Sequence, residues 1–226
     1  MAHSQPERDD RAAVTDRVTS VSQDHYFTAD PASRDERRVL HVTLAGRALD
    51  VETAGGIFSP GRIDLGTQVL LRTVPPAPAT GDLLDLGCGW GPVALTMALE
   101  SPAARVWAVD VNERALDLVR RNAARLGVAN VTACRPDDVP DDVTFSALWS
   151  NPPIRVGKQS LHAMMRTWLP RVAPGAQVFL VVQRNLGADS FQSWIQEHLD
   201  ELVGPHAEVA RAASAKGFRV VEVTIS

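Results

Sequence analysis

Leu83-Leu84-Asp85-Leu86-Gly87-Cys88-Gly89-Trp90-Gly91 is an apolar run that stops in a glycine-rich loop, and the helix-like Val93 to Glu100 follows it directly. That order reads as strand, tight turn and helix N-terminus, a junction built to receive a ligand. Glycines at 87, 89 and 91 let the backbone turn sharply and let a ligand approach the peptide groups. A dinucleotide-binding loop has the spacing G-x-G-x-x-G and offers helix N–H groups to a pyrophosphate. Here the spacing is G-x-G-x-G, and Asp85 precedes the first glycine by two positions, where it would repel a phosphate. A cationic or zwitterionic ligand fits better. S-adenosylmethionine carries an ammonium, a sulfonium and no phosphate, and is the common nucleoside cofactor with those properties.

The 226 residues, 45% of them hydrophobic, suffice for one α/β domain with a modest extra piece. No apolar run approaches membrane-spanning length, and Met1 to Asp24 is polar without a signal-peptide core, so a soluble cytoplasmic protein is expected. The two cysteines, Cys88 and Cys134, lack a CxxC or a nearby His pair and read as small buried residues, so no metal is expected. A formal net charge of -4 gives no global attraction for nucleic acid, and any polyanion must meet a local basic patch.

Residues 1–24 alternate charged and small polar residues without a period and read as a mobile tail. Val39 to Leu44 and Arg47 to Val51 alternate about Ala45-Gly46, the pattern of a β-hairpin capping the main domain. The glycine-rich Gly55 to Thr67 leads into an apolar helical segment ending near Val74, and is either a plain connector or a loop lining a site. Pro75-Pro76-Ala77-Pro78 marks the boundary of the main domain. The expected division is therefore a tail at 1–24, a hairpin with loop and helix at 25–78, and a cofactor-binding domain at 79–226.

Beyond the glycine loop, Arg105 to Asp110 is a second strand ending in an acid about 20 residues on, the offset at which a βαβ unit sets a carboxylate against ribose hydroxyls. Alone such an Asp is a helix cap; one strand after the loop it becomes the ribose ligand. Glu113 to Leu126 puts Leu116, Val119, Ala123 and Leu126 on one face and stops at Gly127, as a helix covering a sheet does. Asn130 to Cys134 is a third strand. In its exit loop Asp137 is either an acceptor for an adenine amine or a solvated turn acid.

Phe145 to Ser150 is a fourth strand ending in Asn151-Pro152-Pro153-Ile154. The prolines fix φ in succession and push Asn151 into an extended conformation at the strand's C-terminal edge, where open α/β sheets do chemistry. Then follow a helix over 159–169, a strand over 177–183, a helix over 190–202, and an antiparallel pair at 205–211 and 218–225.

Methyl transfer from a sulfonium needs an in-line nucleophile, and holding the reactants supplies most of the rate. The lone pair of an exocyclic amine or an amide nitrogen is delocalised. The Asn151 side-chain oxygen and the Pro152 carbonyl oxygen, taking its two N–H bonds, favour a tetrahedral nitrogen whose lone pair is available. By itself Asn-Pro-Pro is a strand-ending turn. On the fourth strand of a sheet whose first carries a sulfonium-type loop, it indicates an N-methyltransferase.

Asp85-Leu86-Gly87-Cys88-Gly89-Trp90-Gly91 together with Asn151 to Lys158 resembles the class I S-adenosylmethionine-dependent methyltransferases, in particular the 16S ribosomal RNA guanine-N2 methyltransferase family. Gly56 to Thr67 resembles that family's pre-domain segment. The resemblance covers about residues 25–226. It implies a Rossmann-like, seven-stranded, mostly parallel sheet with an antiparallel last strand. It further implies cofactor contacts drawn from Asp85, Gly87, Cys88, Gly89, Gly91, Asp110, Val111, Asp137 and Asn151, with Asn151 and Pro152 at the target nitrogen. Better-studied relatives carry two tandem domains, and this chain has room for one. Ile154 stands where many amino methyltransferases have Tyr or Phe, which leaves Phe58 or Trp90 to stack on the base. Arg62, Ile154, Arg155 and Lys158 are the remaining candidate substrate contacts, and Lys216 and Arg219 could join a phosphate-binding patch. The expected partner is ribosomal RNA or the small ribosomal subunit. The competing readings are transfer to a protein glutamine amide or small-molecule amine, and a non-catalytic RNA-binding assembly factor.

Overall fold

The structure is a computed structural model that describes Met1 and residues 36–153 and 157–226. Apart from Met1, the tail expected at 1–24 lies outside the described residues, as do the candidates Ile154 and Arg155.

The hairpin forms from β1 (Arg37–Leu44) and β2 (Arg47–Ala54), paired from Arg37 opposite Ala54 to Leu44 opposite Arg47. Its turn residues Ala45 and Gly46 both have positive φ, 46° and 71°, as a right-twisted two-residue hairpin requires. A linking segment then reaches α1 (Leu65–Thr73). The chain then runs β3 (Asp82–Leu86), α2 (Pro92–Glu100), β4 (Arg105–Val109), α3 (Glu113–Leu126), β5 (Val131–Cys134) and β6 (Phe145–Ser150). It continues through α4 (Lys158–Trp168), β7 (Val172–Gln183), α5 (Ala188–Glu197), α6 (Leu199–Val203), β8 (Ala207–Ala215) and β9 (Phe218–Ile225).

The sheet has seven strands in the order β5-β4-β3-β6-β7-β9-β8. Its pairings are parallel from β5 to β7, and β9 runs against both of its neighbours. From β3 the chain winds outward through β4 and β5, then returns to the other flank of β3 as β6. The carboxyl ends of β3 and β6 therefore border the switch point where open α/β sheets bind ligands.

Strand side chains alternate between two apolar layers, as a sheet covered on both faces demands. Leu84, Leu148 and Leu180 pack on the side of α4 and α5, while Leu83, Trp149 and Phe179 face α1, α2 and α3. A third cluster joins the hairpin to the helices through Leu44, Val51, Trp90, Leu95 and Leu118. The fully buried Asn122 of α3 reinforces that joint. It donates to the carbonyls of Glu52 (3.0 Å) and Trp90 (3.2 Å) and accepts the Glu52 N–H (2.6 Å).

Two elements differ from expectation. The helix expected over 190–202 is broken at His198, whose backbone (φ -112°, ψ 11°) leaves the helical region and separates α5 from α6. Its backbone N–H closes α5 on the Trp194 and Ile195 carbonyls, both at 3.2 Å, and its imidazole Nδ1 lies 2.9 Å from the same Trp194 oxygen. β7 starts at Val172 because its pairing with β6 skips from Val172 to Gln177 across an irregularity that Gly175, at φ 75°, accommodates. Among the described residues no helix is long and apolar enough to cross a membrane.

Candidate active site

The loop between β3 and α2 is tied to the end of β4, where the Val109 carbonyl accepts the N–H groups of Gly87 (2.8 Å) and Cys88 (3.1 Å). Gly87 and Gly89 take φ values of 76° and 56°. A Cβ at Gly89 would meet nothing within 4 Å, so the backbone there lies open to a ligand, whereas one at Gly87 would approach Pro153 Cδ at 3.6 Å. Gly91 has another task. At φ 92° it starts α2, and a Cβ there would sit 3.0 Å from Val119 Cγ2, so its absence permits close packing of α2 on α3.

Asp85 is 2% exposed and accepts the Ala94 N–H at 2.8 Å, bracing β3 against the first turn of α2. Burial pushes its carboxyl up to about 8, with the Asp110 charge acting the same way. Cys88 points into the core between sheet and helices, and burial raises its thiol well above the usual range. Asp85, Cys88 and Gly91 thus support the loop from behind and do not line the cavity in front of it.

That cavity has a volume of about 430 Å3, within the range of small-molecule sites. Gly87, Gly89, Asp110 and Val111 form its floor. The Asp110 carboxylate accepts the N–H groups of Gly89 (2.9 Å) and Asn112 (2.9 Å), which fixes it at the end of β4. Desolvation raises its pKa against those bonds. Asn112 caps α3 with its side-chain oxygen and donates its amide to the Gly56 carbonyl at 3.0 Å, while Arg114 reaches the Gly55 carbonyl at 2.8 Å. These bonds hold the linking segment over the cavity, where Ile57, Phe58, Ser59, Pro60 and Asp64 supply one wall. The segment lines the site. Pro136 borders it, whereas Asp137 is exposed on the short 3-10 turn and does not line it.

Asn151, Pro152 and Pro153 form the opposite corner. The Ser150 hydroxyl donates to the Leu86 carbonyl at 2.5 Å, locking the end of β6 to the end of β3. The Asn151 side-chain nitrogen donates to Asp64 Oδ2 (3.0 Å) and to Thr67 Oγ1 (3.0 Å). Among the described residues nothing donates to the Asn151 side-chain oxygen. That corner therefore presents a fixed acceptor.

Among the described residues no Lys, Arg or His lines the cavity, and its charged lining groups are the carboxylates of Asp64 and Asp110. This acidic, largely apolar setting with an open glycine backbone fits a sulfonium and ammonium nucleoside and opposes a dinucleotide pyrophosphate. Asp110 and the Gly87 and Gly89 backbone, which line the cavity, are the groups that would hold such a ligand. The described residues also contain no cluster of His, Cys, Asp and Glu arranged for a metal ion.

Trp90 is 2% exposed, buried between hairpin and helices, which corrects its expected part in base stacking. Phe58 is 43% exposed at the cavity mouth. Arg62 and Lys158 are exposed and lie outside the cavity lining. Arg184, Lys216 and Arg219 line a neighbouring hollow of about 200 Å3 that shares Phe218 with the main cavity, and Arg219 pairs with Asp189. Asn112, Met164, Trp168, Gln183, Leu186 and Phe218 line the cavity without having been anticipated, and Asp64 and Thr67, though inside the segment expected to line a site, had no individual role assigned. The clue for Asp64 was local, since an Asp just before an apolar helical segment is a favoured N-cap. It accepts the Gly66 N–H at 2.7 Å.

The profile of the methyltransferase small domain matches residues 48–222. An uncharacterized protein, YbxB of Bacillus subtilis, is 29% identical over 88% of this chain and 97% of its own length. Ribosomal RNA small subunit methyltransferase C of Klebsiella pneumoniae is 30% identical over 76% of this chain, and the match spans 49% of that relative. The corresponding protein of Aeromonas hydrophila is 35% identical over 54% of this chain, spanning 35% of the relative. The chain thus spans half or less of these two ribosomal RNA methyltransferases. The T. Thermophilus 16S rRNA N2 G1207 methyltransferase, solved with AdoMet and guanosine, superposes with a TM-score of 0.70 at 21% identity, over 87% of this chain and 52% of that one. The Rossmann-like fold is therefore shared, and on the family match the chain belongs to the methyltransferase small-domain family.

Proposed function

We propose that this protein transfers a methyl group from S-adenosylmethionine to an exocyclic amine, N2 of a guanosine in 16S ribosomal RNA. The observation that carries the reading is the Asn151 corner. The side-chain nitrogen is held by Asp64 and Thr67, so the oxygen remains as an acceptor next to Pro152, at the cavity that Gly87 and Gly89 open. Bound in that cavity, S-adenosylmethionine supplies an electrophilic methyl group. Asp110 is the ribose ligand in this reading, and Val111 a wall for the adenosine. Asn151 and Pro152 accept the N–H bonds of the target amine, hold its nitrogen in place and take up developing positive charge. Asp137, exposed beside Pro136, is left as a rim contact for the adenine amine.

Phe58 at the mouth is the stacking surface for the extruded base. Arg62, Lys158 and Lys216, with Arg155 beyond the described residues, act as phosphate contacts that compensate locally for the acidic chain. The relatives named for ribosomal RNA methylation favour the small ribosomal subunit or its RNA as the partner, in the cytoplasm.

The test is transfer of labelled methyl from S-adenosylmethionine to unmodified small subunits, to 16S rRNA and to a whole-protein extract, with nucleoside analysis of the labelled product. N2-methylguanosine is the expected outcome. Label recovered only in protein or small molecules refutes the RNA assignment, and binding of RNA without turnover favours an assembly factor.

A further inference from the structure

Asn151 presents a problem that its own position does not solve. A carboxamide turned by half a revolution about its last bond exchanges oxygen and nitrogen with almost no change in shape. In one orientation it offers the target amine an acceptor, and in the other it offers a second donor. Proline on its C-terminal side restrains the backbone of Asn151 and leaves this side-chain torsion free. The choice falls to whatever touches the amide.

We propose that Asp64 and Thr67 are positioning residues for the Asn151 amide, Asp64 selecting its orientation and Thr67 anchoring the amide so selected, and that together they set the acceptor that receives the substrate amine. The proposal rests on the methyl-transfer reading above. Both groups lie 3.0 Å from the Asn151 nitrogen. The Asp64 oxygen that faces the amide already acts as an acceptor for the Gly66 N–H, so the amide atom against it is the donor nitrogen, and a flipped amide would set two acceptors against each other. Thr67 is 4% exposed, so water does not readily replace its hydroxyl as the second acceptor.

The carboxylate is itself held. Asp64 is the N-cap of α1, and the same Oδ2 accepts the Gly66 N–H at 2.7 Å. A Cβ at position 66 would come 2.9 Å from that oxygen and 2.9 Å from Phe218 Cε1, so only glycine leaves room for Asp64 and for the aromatic wall beside it. The first turn of α1 thereby connects a helix cap, a cavity wall and the atom that selects the amide orientation. Asp64 and Asn151 stand 87 residues apart in sequence.

The experiment compares full-length D64N, T67V, T67S, N151A and D64N/N151A. Asparagine caps a helix about as well as aspartate, so D64N keeps α1 while it replaces the charged acceptor at the Asn151 nitrogen by a weaker, neutral one. In the 15N spectrum of the protein without substrate, the Asn151 side-chain NH2 signal is identified by its loss in N151A. D64N and T67V should move or broaden this signal, and T67S should restore it. With small subunits as substrate, D64N and T67V should lower kcat by roughly tenfold to a hundredfold with little change in KM or in S-adenosylmethionine binding. T67S should recover most of the turnover. In the N151A background D64N should have no further effect on kcat. An unchanged Asn151 signal in both D64N and T67V, or an equal loss of kcat from D64N with and without Asn151, overturns the proposal. If the parent enzyme labels no amine, the proposed function fails instead, and the amide spectrum still decides whether Asp64 and Thr67 hold Asn151.

Discussion

Replacing Asp85 by asparagine removes a proton equilibrium from the centre of the protein while keeping its shape. The amide oxygen of the new side chain can still accept the Ala94 N–H that Asp85 accepts at 2.8 Å. Burial, assisted by the Asp110 charge, holds the native carboxyl at about 8, against about 3.9 in an unfolded chain. Below about pH 4 both states bind the proton and the group adds no pH dependence. As pH rises from about 4 to about 8, the unfolded chain releases the proton and the native chain retains it, so stability falls by about 1.4 kcal/mol per unit. At pH 7 the accumulated cost is of order 4 kcal/mol, and above about 8 the native group ionises as well and the loss levels off. Urea unfolding of both proteins at about pH 5, 6, 7 and 8 measures this. D85N should gain on the wild type with each step, the gap widening towards that figure at neutral pH. A gap that stays constant with pH would show that Asp85 folds as an anion, held by the N-terminus of α2 despite its burial, and would refute the reasoning.

Asn151→Ala should lower kcat for methyl transfer by about two orders of magnitude, with S-adenosylmethionine affinity nearly unchanged; calorimetric titration showing a large loss of cofactor binding would place this residue in the wrong role. Asp110→Ala should weaken S-adenosylmethionine binding by at least about tenfold, since it removes a charged acceptor and frees the Gly89 and Asn112 N–H groups. Unchanged affinity would end the ribose assignment. Gly91→Ala forces a side chain into φ 92° and against Val119, and thermal unfolding should register a loss of about 1–3 kcal/mol.

Much of this architecture is legible locally. The helix at Glu113–Leu126 shows its apolar face and its glycine stop in the sequence, and the hairpin is announced by alternation about Ala45-Gly46. The glycine loop and Asn151 each announce a strand end. What stays hidden depends on contacts between distant segments. Asp64 and Thr67 look like an ordinary helix start until β6 brings Asn151 to them. Trp90 sits in the loop sequence beside the ligand-facing glycines, yet its side chain is claimed by the hairpin, whose packing no local pattern reveals. Asp85 and Asp110 are equally acidic in sequence, but only Asp110 stands at a strand end facing the cavity, because Asp85 lies within β3. His198 breaks a helix that its neighbours' apolar spacing would have continued.

The reversed direction of β9 also separates two demands that a wholly parallel sheet would combine. A parallel strand meets the ligand edge with its last residues. β9 meets it with its first, so Phe218 arrives at the cavity straight from the turn Lys216-Gly217 that joins β8 to β9. Turns at a sheet rim accept insertions and exchanges that the ladder behind them does not register. Residues near position 216 can therefore change the wall of the cavity at Phe218 while the loop after β3 and the register of the sheet stay as they are.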